Sequence, residues 1–328
     1  MEKVVVIGSN SFSGSNFVNT VLENTEYDVI GISRSPEPNP IFLPYKKKDP
    51  SRFKFHCLDL NQDLDKIIEL IKNEKAEYVV NYAAQGMVGE SWNAPEQWFQ
   101  TNCLAVVNLT DQLRKLDFLK KYIHISTNEV YGSCNNTYES SALNPSTPYA
   151  SSKAAADMFI LNLIKQFNFP ADIVRSTNVY GAGQQLFRII PRSIIYLKTN
   201  KKIPLHGGGT AKKSYLHIKD NCLATLKIMQ SDSSGEIYHL SPDSGISIAD
   251  IVRKICGMLG KSFDESVEIT GERTGQDSEY TLNSSKTRNK FVWKPEKSFD
   301  EGISECINWV NENWNVINTL PQEYIHKI

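Results

Sequence analysis

Tyr149 and Lys153 stand four residues apart in "YASSK", a spacing that puts both side chains on one face of a helix. A lysine cation beside a phenol favours the phenolate, which makes the tyrosine a base near neutral pH, and the lysine can also hold a ribose hydroxyl. Thr127 follows the apolar run "YIHIS" and offers a hydroxyl to the same substrate oxygen. Tyr-x-x-x-Lys alone is common by chance. It gains weight from its place on a helix after a Ser-Thr-bearing strand, in a chain that opens with a glycine turn.

That turn is "VIGSNSFSG", residues 6–14. In a dinucleotide-binding turn the first glycine permits the bend, the second lets the backbone approach the pyrophosphate, and the third lets helix and strand pack closely. Gly8 and Gly14 suit the outer roles, and Ser11 stands in the middle one. The hydroxyls of Ser9, Ser11 and Ser13 are placed to donate to a phosphate at the helix N-terminus, where free N–H groups and the dipole favour anions. Taken alone, the loop reads equally well as an ordinary strand-to-helix turn. The next signal is "SRS" at Ser33, Arg34 and Ser35. A carboxylate after the second strand binds a ribose 2′-OH, whereas an arginine accommodates a 2′-phosphate, so Arg34 points to NADP rather than NAD.

These residues need elements to position them. Val4–Ile7 is a β-branched run suited to a strand buried on both faces. Further strands are expected at 28–33, 53–58, 78–83, 122–126 and 171–175. Helices are expected at 13–24, 65–73, 102–116 and 149–167. Alternation at this spacing predicts an α/β fold with a Rossmann-type doubly wound parallel sheet. The pattern loosens after Gly181, where loops and helices at 247–259 and 298–313 indicate a smaller C-terminal α/β substrate lobe. The expected division is 1–180 plus about 214–242 for the dinucleotide domain, and 181–213 with 243–328 for the lobe.

Composition narrows the function classes. The 328 residues are 40% hydrophobic and 22% charged with a formal net charge of −1, which fits a globular protein and offers no global field for nucleic acid or anionic membrane. No run approaches a membrane span, and the short apolar start ending in Gly8 is no signal-peptide core. Six scattered cysteines form no Cys-x-x-Cys pair, so no metal site is expected, and reduced thiols fit a cytoplasmic setting.

The order of motifs resembles the extended short-chain dehydrogenase/reductases that modify nucleotide sugars, over nearly the whole chain. The resemblance is carried by the glycine turn, "NYAAQGMVGESW" (81–92), "STNEVYG" (126–132), "YASSK", "RSTNVYG" (175–181), "IIPRSI" (189–194), "SYLHIKD" (214–220) and "GERTGQD" (271–277). It is greatest to the dTDP-glucose 4,6-dehydratases and, in details, to the GDP-mannose 4,6-dehydratases. This implies a tightly bound, recycled NADP or NAD contacted by Gly8, Ser11, Phe12, Gly14, Ser33, Arg34, Asp59, Leu60, Ala83, Ala84, Tyr149 and Lys153. It implies a nucleoside-diphosphate sugar contacted by Gln85, Asn178, Arg188, Leu205, His206, Lys213 and Arg273, and a homodimer built through helices 102–116 and 149–167.

The resemblance also implies a reaction. Tyr149 takes the O4 proton while C4 is oxidised, the new ketone acidifies C5–H, Glu129 removes that proton, water leaves C6, and hydride returns to C6. Members of the dTDP-glucose group carry an aspartate at the place of Asn128 to protonate the departing hydroxyl, and an amide cannot do so. The GDP-mannose group has a small hydroxyl residue there, which leaves Glu129 to act as both base and acid. Other nucleotide-sugar chemistries stay open: C4-epimerisation, decarboxylation, or dehydration of different regiochemistry. A non-catalytic dinucleotide-binding regulator is the remaining class. It needs the turn but not the Thr127, Glu129, Tyr149 and Lys153 set.

Overall fold

The computed structural model describes residues 2–48, 50–271 and 279–326. Seven parallel strands make the central sheet: β1 (Lys3–Ile7), β2 (Asp28–Ser33), β3 (Phe53–Cys57), β4 (Tyr78–Asn81), β5 (Lys121–Thr127), β6 (Ala171–Ser176) and β7 (Ile237–Leu240). Their order is β3-β2-β1-β4-β5-β6-β7. The order reverses at β1, which pairs with β2 on one side and β4 on the other, and this opens a crevice beyond the strands' carboxyl ends.

The β-branched run explains why β1 lies at the centre. Alternate side chains enter opposite layers: Val4 and Val6 join one apolar core, and Val5 and Ile7 join the other. The principal helices are α1 (Phe12–Asn24), α2 (Leu64–Glu74), α3 (Ala105–Leu113), α4 (Pro148–Phe167), α5 (Ile189–Lys198), α6 (Ile218–Met229), α7 (Ile248–Met258) and α8 (Phe299–Glu312). On one face Phe17 and Val21 of α1 pack with Cys222 and Leu226 of α6. On the other, Ile67 and Ile71 of α2 pack with Leu109 of α3 and Ile160 of α4. A third core joins α5, α7 and α8 through Ile194, Ile255, Ile303 and Val310.

Most expected elements appear with ends shifted by a residue or two. The exception is the helix expected at 102–116. The helical path starts at Pro95, runs to Phe99, passes through a π-turn at Gln100–Leu104 and ends as α3 at Leu113. Asn102 in that turn reads as a weak helix former, yet it is fully buried. Its amide accepts from the Gln85 N–H at 2.8 Å and donates to the Gln85 carbonyl at 3.0 Å. It also donates to Ser152 on α4 at 3.1 Å. The π-turn thereby ties the strand-β4 loop to α4, two of the walls of the site. Among the described residues no helix is long and apolar enough to cross a membrane.

Candidate active site

A cavity of about 750 Å³ opens at the carboxyl ends of β1, β4, β5 and β6. Ser11, Phe12 and Ser13 at the N-terminus of α1 form one end of it. Gly8 has φ of 83°, and a Cβ there would lie 2.6 Å from the Ala83 nitrogen, so only glycine lets the turn close on the β4 loop. A Cβ on Gly14 would strike the Gly8 carbonyl oxygen. Ser11 caps α1 by accepting the Gly14 N–H at 3.1 Å, which leaves its own O–H free to donate into the cavity. Ser9 departs from the expected phosphate role. It is fully buried, with its oxygen 3.5 Å from that of Ser33, because it points back under the turn against Gly31. The turn, its cap and the first N–H groups of α1 fit a dinucleotide pyrophosphate.

The acid–base residues meet in the middle of the cavity. Thr127 ends β5 and caps a short 3₁₀ turn, Asn128–Tyr131, by accepting the Glu129 N–H at 3.2 Å. Thr147 caps α4 by accepting the Ala150 N–H at 3.1 Å, and Pro148 takes the first helical position. Tyr149 is therefore in the first turn of α4 and Lys153 in the second. Thr127, Asn128, Glu129, Tyr149 and Lys153 all line the cavity. The Asn128 Nδ2 group is buried and has no hydrogen-bond partner among the described residues, so it is a donor available to a ligand oxygen.

The electrostatics correct one expectation. Burial raises the Tyr149 pKa, the Glu129 carboxylate raises it further, and a hydrogen bond with Thr127 works the other way. The phenol is thus protonated in the ligand-free chain. The Lys153 ammonium, only 2% exposed, donates to the Ile125 carbonyl at 2.8 Å and lies 3.3 Å from His124 Nε2. Burial pulls the lysine down to about 8, and Asp157 one turn further along α4 opposes that fall. Asp157 is fully buried, accepts from Ser126 and from Arg175 Nε at 2.9 Å each, and lies 3.6 Å from His124. Arg175 continues the network to Tyr131, whose hydroxyl meets His239 at 2.8 Å. A chain of buried polar groups therefore underlies the Tyr–Lys pair and sets the charge it works with.

The far wall is cationic and aromatic. Asn178, Arg188, His206 and Lys213 line it as expected residues. The His206 ring is held by Thr270 at 2.9 Å. Leu205 faces elsewhere: strand alternation over Ile203–His206 sends it into the third core and turns Pro204 and His206 to the cavity. Gln85 is buried beside the cavity, while Ala84 and Gly86 line it. Arg34 is exposed after β2, and Asp59, after β3, accepts the Asn61 N–H at 2.8 Å in a local turn. Leu60 is buried in the second core. Arg273 lies outside the described residues. Arg192 and Tyr215 also line the cavity and were missed. Arg192 follows Arg188 by four residues, a helical spacing legible in "RIIPR"; Tyr215 carries no such signal.

Comparison with known proteins bears on this geometry. The family model described as GDP-mannose 4,6 dehydratase matches residues 5–306. The human dTDP-D-glucose 4,6-dehydratase is 29% identical over 322 residues, 96% of this chain and 91% of that protein. A trifunctional plant protein from Arabidopsis thaliana, a UDP-glucose 4,6-dehydratase that is also an epimerase and a reductase, is 26% identical over 95% of this chain. The chain spans only 47% of that longer relative. The crystal structure of dTDP-glucose 4,6-dehydratase from Bacillus anthracis in complex with NAD superposes with a TM-score of 0.87. Its identity is 28%, and 96% of this chain and 98% of that one are covered. With its glycine turn, Tyr–Lys helix and Thr127–Glu129 turn gathered on one cavity, the chain belongs to the GDP-mannose 4,6-dehydratase family of extended short-chain dehydrogenase/reductases.

Proposed function

We propose that the protein converts a nucleoside-diphosphate hexose into its 4-keto-6-deoxy derivative, as a nucleotide-sugar 4,6-dehydratase. The observation that carries this reading is the convergence of Thr127, Asn128, Glu129, Tyr149 and Lys153 on one cavity between the α1 N-terminus and a cationic wall. An epimerase needs no carboxylate base beside its tyrosine, and Glu129 supplies one.

The Gly8–Gly14 turn and the first N–H groups of α1 would hold the dinucleotide, whose nicotinamide would supply reversible hydride transfer. The rest falls to the chain. Tyr149, hydrogen-bonded to Thr127, acts as the phenolate, its own proton lost to solvent, and then accepts the O4 proton. Lys153 has three N–H donors, with Ile125 and His124 beside two of them, which leaves one for a ribose hydroxyl, and its positive charge favours the phenolate. Glu129 removes the C5 proton once the ketone has acidified it, and the same carboxyl delivers a proton to the departing O6. Asn128 donates an N–H to O6 but transfers no proton. Arg188, Arg192 and Lys213 supply fixed charge for the sugar-nucleotide pyrophosphate.

Arg34, with no carboxylate at the end of β2, favours NADP over NAD as the retained dinucleotide. Free cysteines throughout the described residues favour a reducing cytoplasm. Exposed Phe99, Leu104 and Met158 on the 95–113 helical path and α4 favour a homodimer. The deciding experiment offers dTDP-, UDP-, GDP- and CDP-hexoses in deuterated water. Deuterium at C5 of a 4-keto-6-deoxy product supports the reading. Inversion at C4 without C5 exchange overturns it in favour of epimerisation. Mass spectrometry of the nucleotide released on denaturation separates NADP from NAD.

A further inference from the structure

Beyond α8 the chain anchors itself in the third core through Ile317, which is fully buried, and Leu320, which packs against that core. It then continues without regular structure to the opposite bank of the cavity. Glu323 and Tyr324 line the cavity on the way. The Tyr324 ring meets Phe187 edge-on, with centroids 5.2 Å apart. Its phenol lies within electrostatic reach of Glu90 and Arg34 on the dinucleotide side and of Arg188 on the other.

The segment is fastened again at His326. That ring stacks on Trp98 at 5.4 Å with planes 7° apart. Its Nε2 meets the Gln97 side-chain oxygen at 2.7 Å, so it carries the hydrogen. Its Nδ1 is then the acceptor for the Tyr324 hydroxyl, 3.0 Å away. Trp98 is fully buried, and Ile325 between the two contacts is 61% exposed. The hold on this bank therefore rests on Tyr324 and His326, few enough contacts for local opening.

We infer that residues 321–326 form a strap that closes the cavity over the bound dinucleotide, with Tyr324 as its covering side chain and His326 as its anchor. The inference rests on the proposed recycling of that dinucleotide. A sugar nucleotide must leave in every turnover, whereas the dinucleotide stays. A cover fixed on both banks, its phenol within electrostatic reach of Arg34 and Arg188, suits the ligand that stays.

The test measures how fast NAD or NADP leaves the full-length protein, without sugar nucleotide, after mixing with excess competing dinucleotide. Tyr324→Ala and His326→Ala release it roughly tenfold faster than the parent, and Tyr324→Phe, which keeps the ring and loses the hydroxyl, falls between. Unchanged release in both alanine variants overturns the strap. A raised KM for sugar nucleotide with unchanged release also overturns it and assigns the segment to the second ligand. Because no sugar is present, a chain that makes no 4-keto-6-deoxy product but shows the faster release sinks the reaction and leaves the strap standing.

Discussion

Glu129 and Tyr149 share one cavity and act against each other: the carboxylate holds the phenol's proton on. Glu129→Gln is therefore expected to leave C4 oxidation possible and to stop elimination. Reduced nicotinamide absorbance then accumulates with substrate, C5 deuterium uptake disappears, and kcat falls by about 10²–10⁴. Lys153 is a charge kept at a cost. Its folded pKa of about 8 lies below the unfolded value of 10.5. Between these values the unfolded chain binds more protons, so stability rises with pH across that window. Below pH 8 the full penalty applies, on the order of 3 kcal/mol. Lys153→Met should accordingly melt higher than the parent at neutral pH, lose that advantage as pH approaches 10.5, and be inactive throughout. Thermal melts across pH check this.

At the scale of elements, the site depends on ties between segments distant in sequence. Asn102 in the π-turn makes three hydrogen bonds to Gln85 and Ser152, all buried. Asn102→Ala strands the Gln85 backbone groups and is expected to cost about 2–3 kcal/mol in urea unfolding. The same change frees the loop after β4, so the KM for sugar nucleotide should rise more than stability alone accounts for. Such π-turns recur at functional sites because they re-aim one side chain without breaking the helix. Here the re-aimed side chain is the one that joins the β4 loop to α4.

The whole molecule presents Phe99, Leu104 and Met158 to solvent at 41%, 47% and 50% exposure, on adjoining helices. These side chains are the proposed dimer face. Leu104→Glu is expected to shift sedimentation from dimer to monomer at micromolar concentration, since a charge buried there without a partner is costly. A Leu104→Glu chain that sediments like the parent removes these helices from the interface. The strap, residues 321–326, joins the third core to the Trp98 helix, so it belongs to this scale too.

Much of the molecule was legible in linear order. β-branched runs, helical periodicity and turn residues act locally, and they marked the parallel sheet, the glycine turn and the Tyr149–Lys153 helix. Motif order also brought Thr127, Glu129, Arg188 and Lys213 into view. Other features depend on contacts between residues far apart in the chain. Ser9 turns under its loop because Gly31 leaves it room. Leu205 faces a core because its strand's phase is set by that core. Lys153 bonds the Ile125 carbonyl and lies beside His124, contacts that no spacing along the chain announces. Spacing along the chain determined which groups share a helix face. Burial, which reverses the expected shift of the tyrosine and pulls down the lysine, was decided only by the folded packing around them.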